Sequence, residues 1–372
     1  MHALLLGTGG DRGWPQDGCR CASCMRARSE GQLRRPGRVL VDGTLEIVPG
    51  QPVLPETRPP PTPAHIVRQL EGGLDITGPD GGRMLLAAGP GDQPDPPDDA
   101  APYDLALLDL LAHPEQLGRL RATGLIRPQT AVVALYCDHR VTSEQELIRR
   151  CDLWQATAGQ DGQLITSPAP GIPAVIPVPA GIRPHRTLIT GGARSGKSTE
   201  AELRLAAEPR VTYVAAGPWA GPGPAGPDGD PDREWAERVA RHQARRPGFW
   251  QTVESLDIAG ILGREQGAVL VDGIGTWLAA VLDEAGVWAD PPAPQSGRET
   301  AVRARIDELA DAWRHTGALV VAVTDQVGSG LVPPFPAGRI FRDQLGWLNQ
   351  RLAAESELNL LVVAGRVTTL PG

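Results

Sequence analysis

The run GGARSGKST, Gly191 to Thr199, follows directly on the apolar stretch Arg186 to Thr190, and it limits what the chain can fold into more than any other feature. Gly191, the four residues Gly192, Ala193, Arg194 and Ser195, and then Gly196, Lys197 and Ser198 fit the pattern G-x-x-x-x-G-K-[ST]. A strand feeding a glycine-rich loop that opens a helix wraps backbone N–H groups around a phosphate. The helix N-terminus adds its positive dipole end, and a lysine reaches the β/γ oxygens. Ser198 is placed to ligate Mg²⁺. A glycine-rich turn with no ligand is the plainer alternative, but strand, loop and helix signals occur here in the required order, so nucleotide binding is expected.

The loop demands a parallel sheet around it, and the surrounding sequence supplies one. RTLIT, RVTYVAA, GAVLVDGI, GALVVAVTD and LNLLVVAG are five apolar, β-branched runs separated by helical segments. Near-continuous apolar strands belong to a parallel sheet covered on both faces. Asp272 closes the run AVLVD at the carboxyl end of a strand, where a metal- or nucleotide-contacting carboxylate sits in such sheets. A helix N-cap is its alternative role.

A chain of 372 residues is long for one domain, given roughly 100–200 residues per domain. With 41% hydrophobic and 22% charged residues it can bury two cores. Proline is dense from about Pro49 to Pro63, from Pro90 to Pro102 and again over residues 167–184, where SPAPGIPAVIPVPAGIRP reads as a stiff connection. The expected domains are therefore 1–166 and 185–372, joined by 167–184. In the first, GLDITGPDGGRMLLAAG reads as two strands around a turn. DLALLDLLAHPEQLGRLRATG reads as a strand and a helix, and AVVALYCDH as a further strand. The formal net charge of -8 argues against a nucleic-acid partner and favours small molecules. No run approaches membrane-spanning length and the amino terminus lacks a basic leader, so a cytoplasmic location is expected.

Downstream, DREWAERVARHQARRPGFW reads as a helix capped near Asp230 or Asp232 and stopped by Pro247. Arg241, Arg245 and Arg246 crowd His242, which disfavours the imidazolium and leaves a neutral nucleophile. Alone, a histidine in a basic helix is usually a solvated surface residue.

GGARSGKS, TYVAAG, the RVARHQARRPGFW run, the strand end at Thr252 to Glu254, VTDQVGSGLVPPFPAGRIFRDQLGWLNQRLA and LLVVAG together resemble the bifunctional adenosylcobinamide kinase/adenosylcobinamide-phosphate guanylyltransferase family over about 186–372. The resemblance implies an α/β fold with a RecA-like P-loop domain and a mostly parallel sheet, commonly assembled as a homotrimer. It implies phosphorylation of adenosylcobinamide with ATP or GTP. Transfer of GMP from GTP to adenosylcobinamide phosphate would then proceed through a guanylylated histidine, here His242. By the same resemblance Val214, Ala215 and Ala216, Gln243, Ala244, Arg245 and Arg246, and the carboxylates Glu254 and Asp272 meet the nucleotide. Gly273 stands where the family usually has a bulkier residue, and WAGPGPAGPDGDP lengthens the loop before His242. Two alternatives stay open: a P-loop kinase without guanylyl transfer, and a nucleotide-gated regulatory protein.

In the first domain, GTGGDRGWPQDGCRCASC followed by RRPGRVLVDG resembles the start of metallo-β-lactamase-fold proteins, in which a C-x-C-x-x-C group helps bind structural zinc. Cys19, Cys21 and Cys24 would supply three thiolates, with His139 or Cys137 as a distant fourth ligand; three unligated thiols are the alternative. That fold's hydrolases need an H-x-H-x-D-H cluster, and no two of the seven histidines here lie two residues apart. Asp109 is either a remnant of a bridging aspartate or a plain strand-end or N-cap residue. The expectation is a truncated, non-hydrolytic metallo-β-lactamase-like α/β domain.

Overall fold

The computed structural model describes residues 1–51, 65–89, 101–166, 185–216, 246–288 and 295–371. The proline-rich connection at 167–184 and the helix expected around His242 lie outside the described residues. The chain divides into two compact units, Met1–Gly181 with Ala206–Pro209, and Ile182–Leu205 with Arg210–Gly372.

The first unit is built on two sheets. Strands β1 (His2–Gly7), β2 (Arg38–Val41), β3 (Leu45–Ile47) and β10 (Leu164–Thr166) form an antiparallel sheet in the order β10-β1-β2-β3. The second sheet runs β4 (Ile66–Leu70), β5 (Gly73–Thr77), β6 (Arg83–Ala87), β7 (Leu105–Leu108), β8 (Ala131–Ala134), β9 (Thr157–Ala158). It is antiparallel from β4 to β6 and parallel from β6 onward. Alternate residues point inward, so Ala3, Leu5, Val39 and Val41 of one sheet share a buried core with Ile76, Met84, Leu86, Leu105, Leu107 and Val133 of the other. The hairpin expected around Gly78–Gly82 and the strand–helix–strand run after Tyr103 are both present, the latter as β7, α2 (Pro114–Ala122) and β8. Helices α1 (Ala22–Ser29) and α3 (Glu144–Leu153) complete the described elements of this unit.

The second unit is a doubly covered sheet in the order β13-β12-β14-β15-β11-β16-β17. Its strands are β11 (Arg186–Gly191), β12 (Val211–Ala215), β13 (Gln251–Glu254), β14 (Ala268–Asp272), β15 (Leu319–Val323), β16 (Leu358–Val363) and β17 (Arg366–Leu370). All neighbours are parallel except β16 and β17, which close the edge as a hairpin. The five runs picked out in the sequence are β11, β12, β14, β15 and β16. One strand, β15, lies between the loop-bearing β11 and the Asp272-bearing β14, giving the RecA-like arrangement that the resemblance implied.

The pleat explains the apolar runs. Leu188, Val269, Val271, Val320 and Ala322 face one core with α5 (Ile258–Arg264), α6 (Ile274–Glu284), α7 (Gln295–His315) and α8 (Pro336–Ala354). Ile189, Leu270, Val321, Val323 and Leu360 face the other core with α4 (Lys197–Leu205). A strand buried on both faces has no polar side to alternate with. The functional groups consequently gather where these strands end.

Candidate active site

Gly191 ends β11 against the backbone of β16. A Cβ built on it would lie 2.4 Å from the carbonyl oxygen of Val362, so only glycine fits. The loop then curls through Arg194 at φ 55 and Gly196 at φ 102, left-handed turns of the kind from which anion-binding loops are built. Two hydrogen bonds tie it down: Gly365 N–H donates to Ser195 O at 2.8 Å, and Gln326 N–H to Gly191 O at 3.0 Å. Ser195 Oγ is buried and has no hydrogen-bond partner among the described residues, a polar atom left for a ligand to satisfy.

Lys197 opens α4. Its ammonium donates to Gly192 O at 2.8 Å and pairs with Asp325 Oδ1 at 2.9 Å. Ser198 Oγ donates to Asp272 Oδ1 at 3.3 Å, while Tyr213 donates its phenol hydrogen to Asp272 Oδ2 at 2.5 Å. Burial, reinforced by the Asp272 charge, pushes the Tyr213 phenol far above its ordinary range, so it stays a donor. The N-cap of α6 is Gly273, which makes no side-chain cap bond, so the alternative N-cap role of Asp272 is not the one observed. Ser198 and Asp272 bring together the hard oxygen donors that a magnesium ion prefers.

The remaining nucleotide candidates fall into three groups. Val214 and Ala216 are buried in the core and Ala215 is half-buried, so these positions offer backbone more than side chain. Glu254 is exposed at the end of β13, in register with Ala215. Arg246 stacks its guanidinium 3.3 Å from the centre of the Tyr213 ring and reaches Thr252 Oγ1 at 3.4 Å. It thereby joins the segment after His242 to the Tyr213–Asp272–Ser198 chain. His242, Gln243, Ala244 and Arg245 lie outside the described residues.

Three residues of this site escaped the sequence reading. Asp325 follows the apolar run of β15 just as Asp272 ends β14, and the same rule of carboxylates at strand ends would have found it. Tyr213 was readable as a buried phenol needing a partner. Asn349, on α8, accepts from Thr324 Oγ1 at 2.7 Å and donates to Asp325 O at 3.1 Å. No sequence signal announces that contact.

In the first unit, the Sγ atoms of Cys19, Cys21 and Cys24 and a ring nitrogen of His139 all lie within 4.8 Å of one another. Local structure explains the gathering. Cys21 is the N-cap of α1, its sulfur accepting from Cys24 N–H at 3.4 Å. The helix is fastened to the loop carrying His139 by Ser23 Oγ donating to Val141 O at 2.6 Å and Arg26 donating to Thr142 O at 2.6 Å. Trp14 Nε1 donates to Ser23 Oγ at 3.0 Å from beneath. His139 Nδ1 is 3.7 Å from both Cys19 and Cys24 sulfurs. A tetrahedral zinc with ordinary Zn–S and Zn–N bonds sets that edge at about 3.6 Å. Cys137, the other fourth-ligand candidate, is fully buried and turned toward Ala134 O, outside the cluster.

Asp109, itself buried, is among the residues lining a cleft of about 440 Å³. Its carboxylate accepts from Ala112 N–H at 3.1 Å, capping the turn after β7, and pairs with Arg140 at 2.9 Å.

Loop, lysine, hydroxyl and strand-end carboxylate on a parallel sheet define a P-loop nucleotide-binding domain. The sequence model of the family described as cobinamide kinase/cobinamide phosphate guanyltransferase matches residues 187–370. Bifunctional adenosylcobalamin biosynthesis proteins share 37% identity over 184 residues (Salmonella typhimurium) and 36% over 185 (Escherichia coli). Each alignment takes in 48% of this chain and 95% of the relative. The Pseudomonas aeruginosa protein of the same description is 36% identical over 193 residues, 50% of this chain and 98% of its own. The chain belongs to this family through its second unit. A solved ATPase from the type III secretion system of pathogenic bacteria overlaps 47% of this chain and 50% of its own at 13% identity and a TM-score of 0.30, too slight a likeness to bear on the fold. Among the described residues no helix is long and apolar enough to cross a membrane.

Proposed function

We propose that the second unit phosphorylates adenosylcobinamide with ATP or GTP and then transfers GMP from GTP to the phosphate so formed, yielding adenosylcobinamide-GDP for cobalamin biosynthesis. The observation that carries this reading is the joining of Lys197, Ser198 and Asp272 at one loop, inside the region that matches the family. The backbone N–H groups of residues 192–198 cradle the phosphates, and Lys197 neutralises the β/γ oxygens. Ser198 and Asp272 would hold Mg²⁺, which supplies Lewis-acid neutralisation of the transferring group. In the second reaction the His242 imidazole attacks the α-phosphorus of GTP and pyrophosphate leaves. The labile phosphoramidate then passes GMP to the acceptor phosphate, so one difficult step becomes two easier ones. Arg246, held flat on Tyr213, is placed to steady the base of the histidine segment.

We assign the first unit a structural zinc on Cys19, Cys21, Cys24 and His139. All four ligand positions are filled by protein, the closed set that marks a structural rather than a catalytic site. It is a non-hydrolytic, metallo-β-lactamase-like domain over 1–166, connected by 167–184 to the enzyme domain at 185–372. The protein is read as cytoplasmic and homo-oligomeric, a trimer by family resemblance. Incubation with adenosylcobinamide, Mg²⁺ and GTP, followed by mass spectrometry of the corrinoids, tests the activity. Adenosylcobinamide-GDP is the expected product. Accumulation of the monophosphate alone would leave a kinase without guanylyl transfer, and no conversion with nucleotide still bound would point to a regulatory protein.

A further inference from the structure

We propose that Asp325 is the carboxylate that receives the acceptor hydroxyl during phosphoryl transfer; the assignment rests on the kinase reading above and names the residue that performs its proton step. Phosphoryl transfer needs little covalent help from the protein, but it does need a group that orients the attacking hydroxyl and takes its proton. The described part of the site holds three carboxylates at the ends of the parallel strands, and they differ in what they already do. Asp272 gives one oxygen to Ser198 and the other to Tyr213. Glu254 ends β13, at the far edge of the sheet, with β12, β14 and β15 between it and the loop-bearing β11. Asp325 follows β15, the strand beside β11, and its Oδ1 lies 2.9 Å from the Lys197 ammonium, the atom that must meet the γ-phosphate.

The pair is set up to open. The lysine side chain is 9% exposed and the aspartate 48%, so the carboxylate is open to solvent beside a buried ammonium. A half-exposed single pair is worth little against a magnesium triphosphate. When Lys197 turns to the phosphates, Oδ1 is released next to the transferring group. The backbone of Asp325 does not have to move with it. Asn349 Nδ2 holds the Asp325 carbonyl at 3.1 Å and Asn349 Oδ1 holds the preceding Thr324 hydroxyl, while Gln326 N–H is bonded to Gly191 O of the loop itself. The second oxygen, Oδ2, packs over the first turn of α6, where a Cβ on Gly275 would come within 3.1 Å of it.

The step balances. A lone pair of the acceptor oxygen forms a bond to the γ-phosphorus, and the bond from that phosphorus to the β,γ-bridging oxygen breaks, its electrons leaving on the nucleoside diphosphate. The hydroxyl proton passes to Asp325 Oδ1 and from there to water.

The test is Asp325→Asn, which keeps shape and removes the basic oxygen. Steady-state phosphorylation of adenosylcobinamide with MgATP is measured beside wild type, together with the pH profile of kcat and the affinity for MgATP. The expected result is a fall in kcat of about 10²–10⁴-fold, loss of the acid limb of the profile, and MgATP affinity equal to or tighter than wild type, because Lys197 loses its competing anion. Asp325→Glu recovers part of the rate. A kcat within about threefold of wild type overturns the assignment. A loss that tracks weakened MgATP binding with an unchanged pH profile does so too, since it makes Asp325 a lysine holder only. A wild-type enzyme that transfers no phosphoryl group to adenosylcobinamide overturns the functional reading and the assignment with it, whereas an active wild type beside an active Asp325→Asn sinks the assignment alone.

Discussion

The polar cluster of the first unit and that of the second are built in opposite ways. In the first, three thiols and an imidazole converge on one another, and nearby the buried Arg34 is consumed by Glu144, Thr8 Oγ1 and the Gly159 carbonyl. These groups face partners within the fold, which is how polar residues hold loops in place. In the second, Lys197 rests on a half-exposed aspartate and Ser195 Oγ is buried with no partner among the described residues. A closed network implies structure; an open one that is held rigid by its surroundings implies a ligand. The contrast separates the proposed zinc cluster from the phosphate loop within one chain.

The largest expected effect lies in the first unit. Cys24 is fully buried in the cluster, and Cys24→Ser replaces a soft thiolate by a poor zinc ligand. Metal analysis of the full chain should give about one zinc for wild type, by the ligand count, and close to none for the variant. Nucleotide binding by the second unit should persist. Zinc-free wild type with an unchanged fold would erase the comparison. Next, Lys197→Ala should lower nucleotide-dependent turnover by about 10²–10³-fold or more, the usual cost of removing a charged donor from a reacting phosphate, with zinc content unchanged. Turnover at the wild-type rate would contradict the phosphate-loop assignment.

Smaller effects sharpen the picture. Tyr213→Phe leaves one oxygen of Asp272 without its hydroxyl donor and should cost about 1–3 kcal/mol in urea unfolding, with weaker Mg²⁺-dependent nucleotide binding; an unchanged Mg²⁺ requirement would show that Asp272 needs no such support. At the opposite end of the sheet, the Arg186 guanidinium pulls the Glu357 carboxyl from 4.5 down to about 2. The ionised form is favoured by the folded state, so this contribution is present above pH 4.5 and is lost as the pH falls toward about 2. Glu357 is 41% exposed, which keeps the effect below about 1 kcal/mol. Glu357→Gln should flatten that portion of the acid-unfolding curve, and an identical curve would mean that solvent already screens the pair.

How far the sequence could be read differs between the units for physical reasons. The phosphate loop was legible because backbone geometry dictates it: Gly191 admits no Cβ and Gly196 takes a positive φ, so residue identity is forced. The parallel sheet was legible because strands buried on both faces must be apolar throughout. The cluster of Cys19, Cys21 and Cys24 was visible as a local spacing, but the choice of His139 over Cys137 depends on where the chain after β8 turns back against α1, a contact between distant segments. Asn349 was silent for the same reason, since its partners Thr324 and Asp325 reach it only after α8 packs on the sheet. Asp325 was readable and was missed: a strand-end carboxylate one strand closer to the loop than Asp272.

The most direct test of the account is covalent. The full chain is incubated with Mg²⁺ and GTP labelled at the α-phosphate, and the protein is examined for acid-labile, alkali-stable label beside His242→Ala. Label on wild type and none on the variant is the predicted result, the mark of a guanylylated histidine. Equal label on both proteins, or none on wild type that still binds GTP, would contradict the proposed route of GMP through His242.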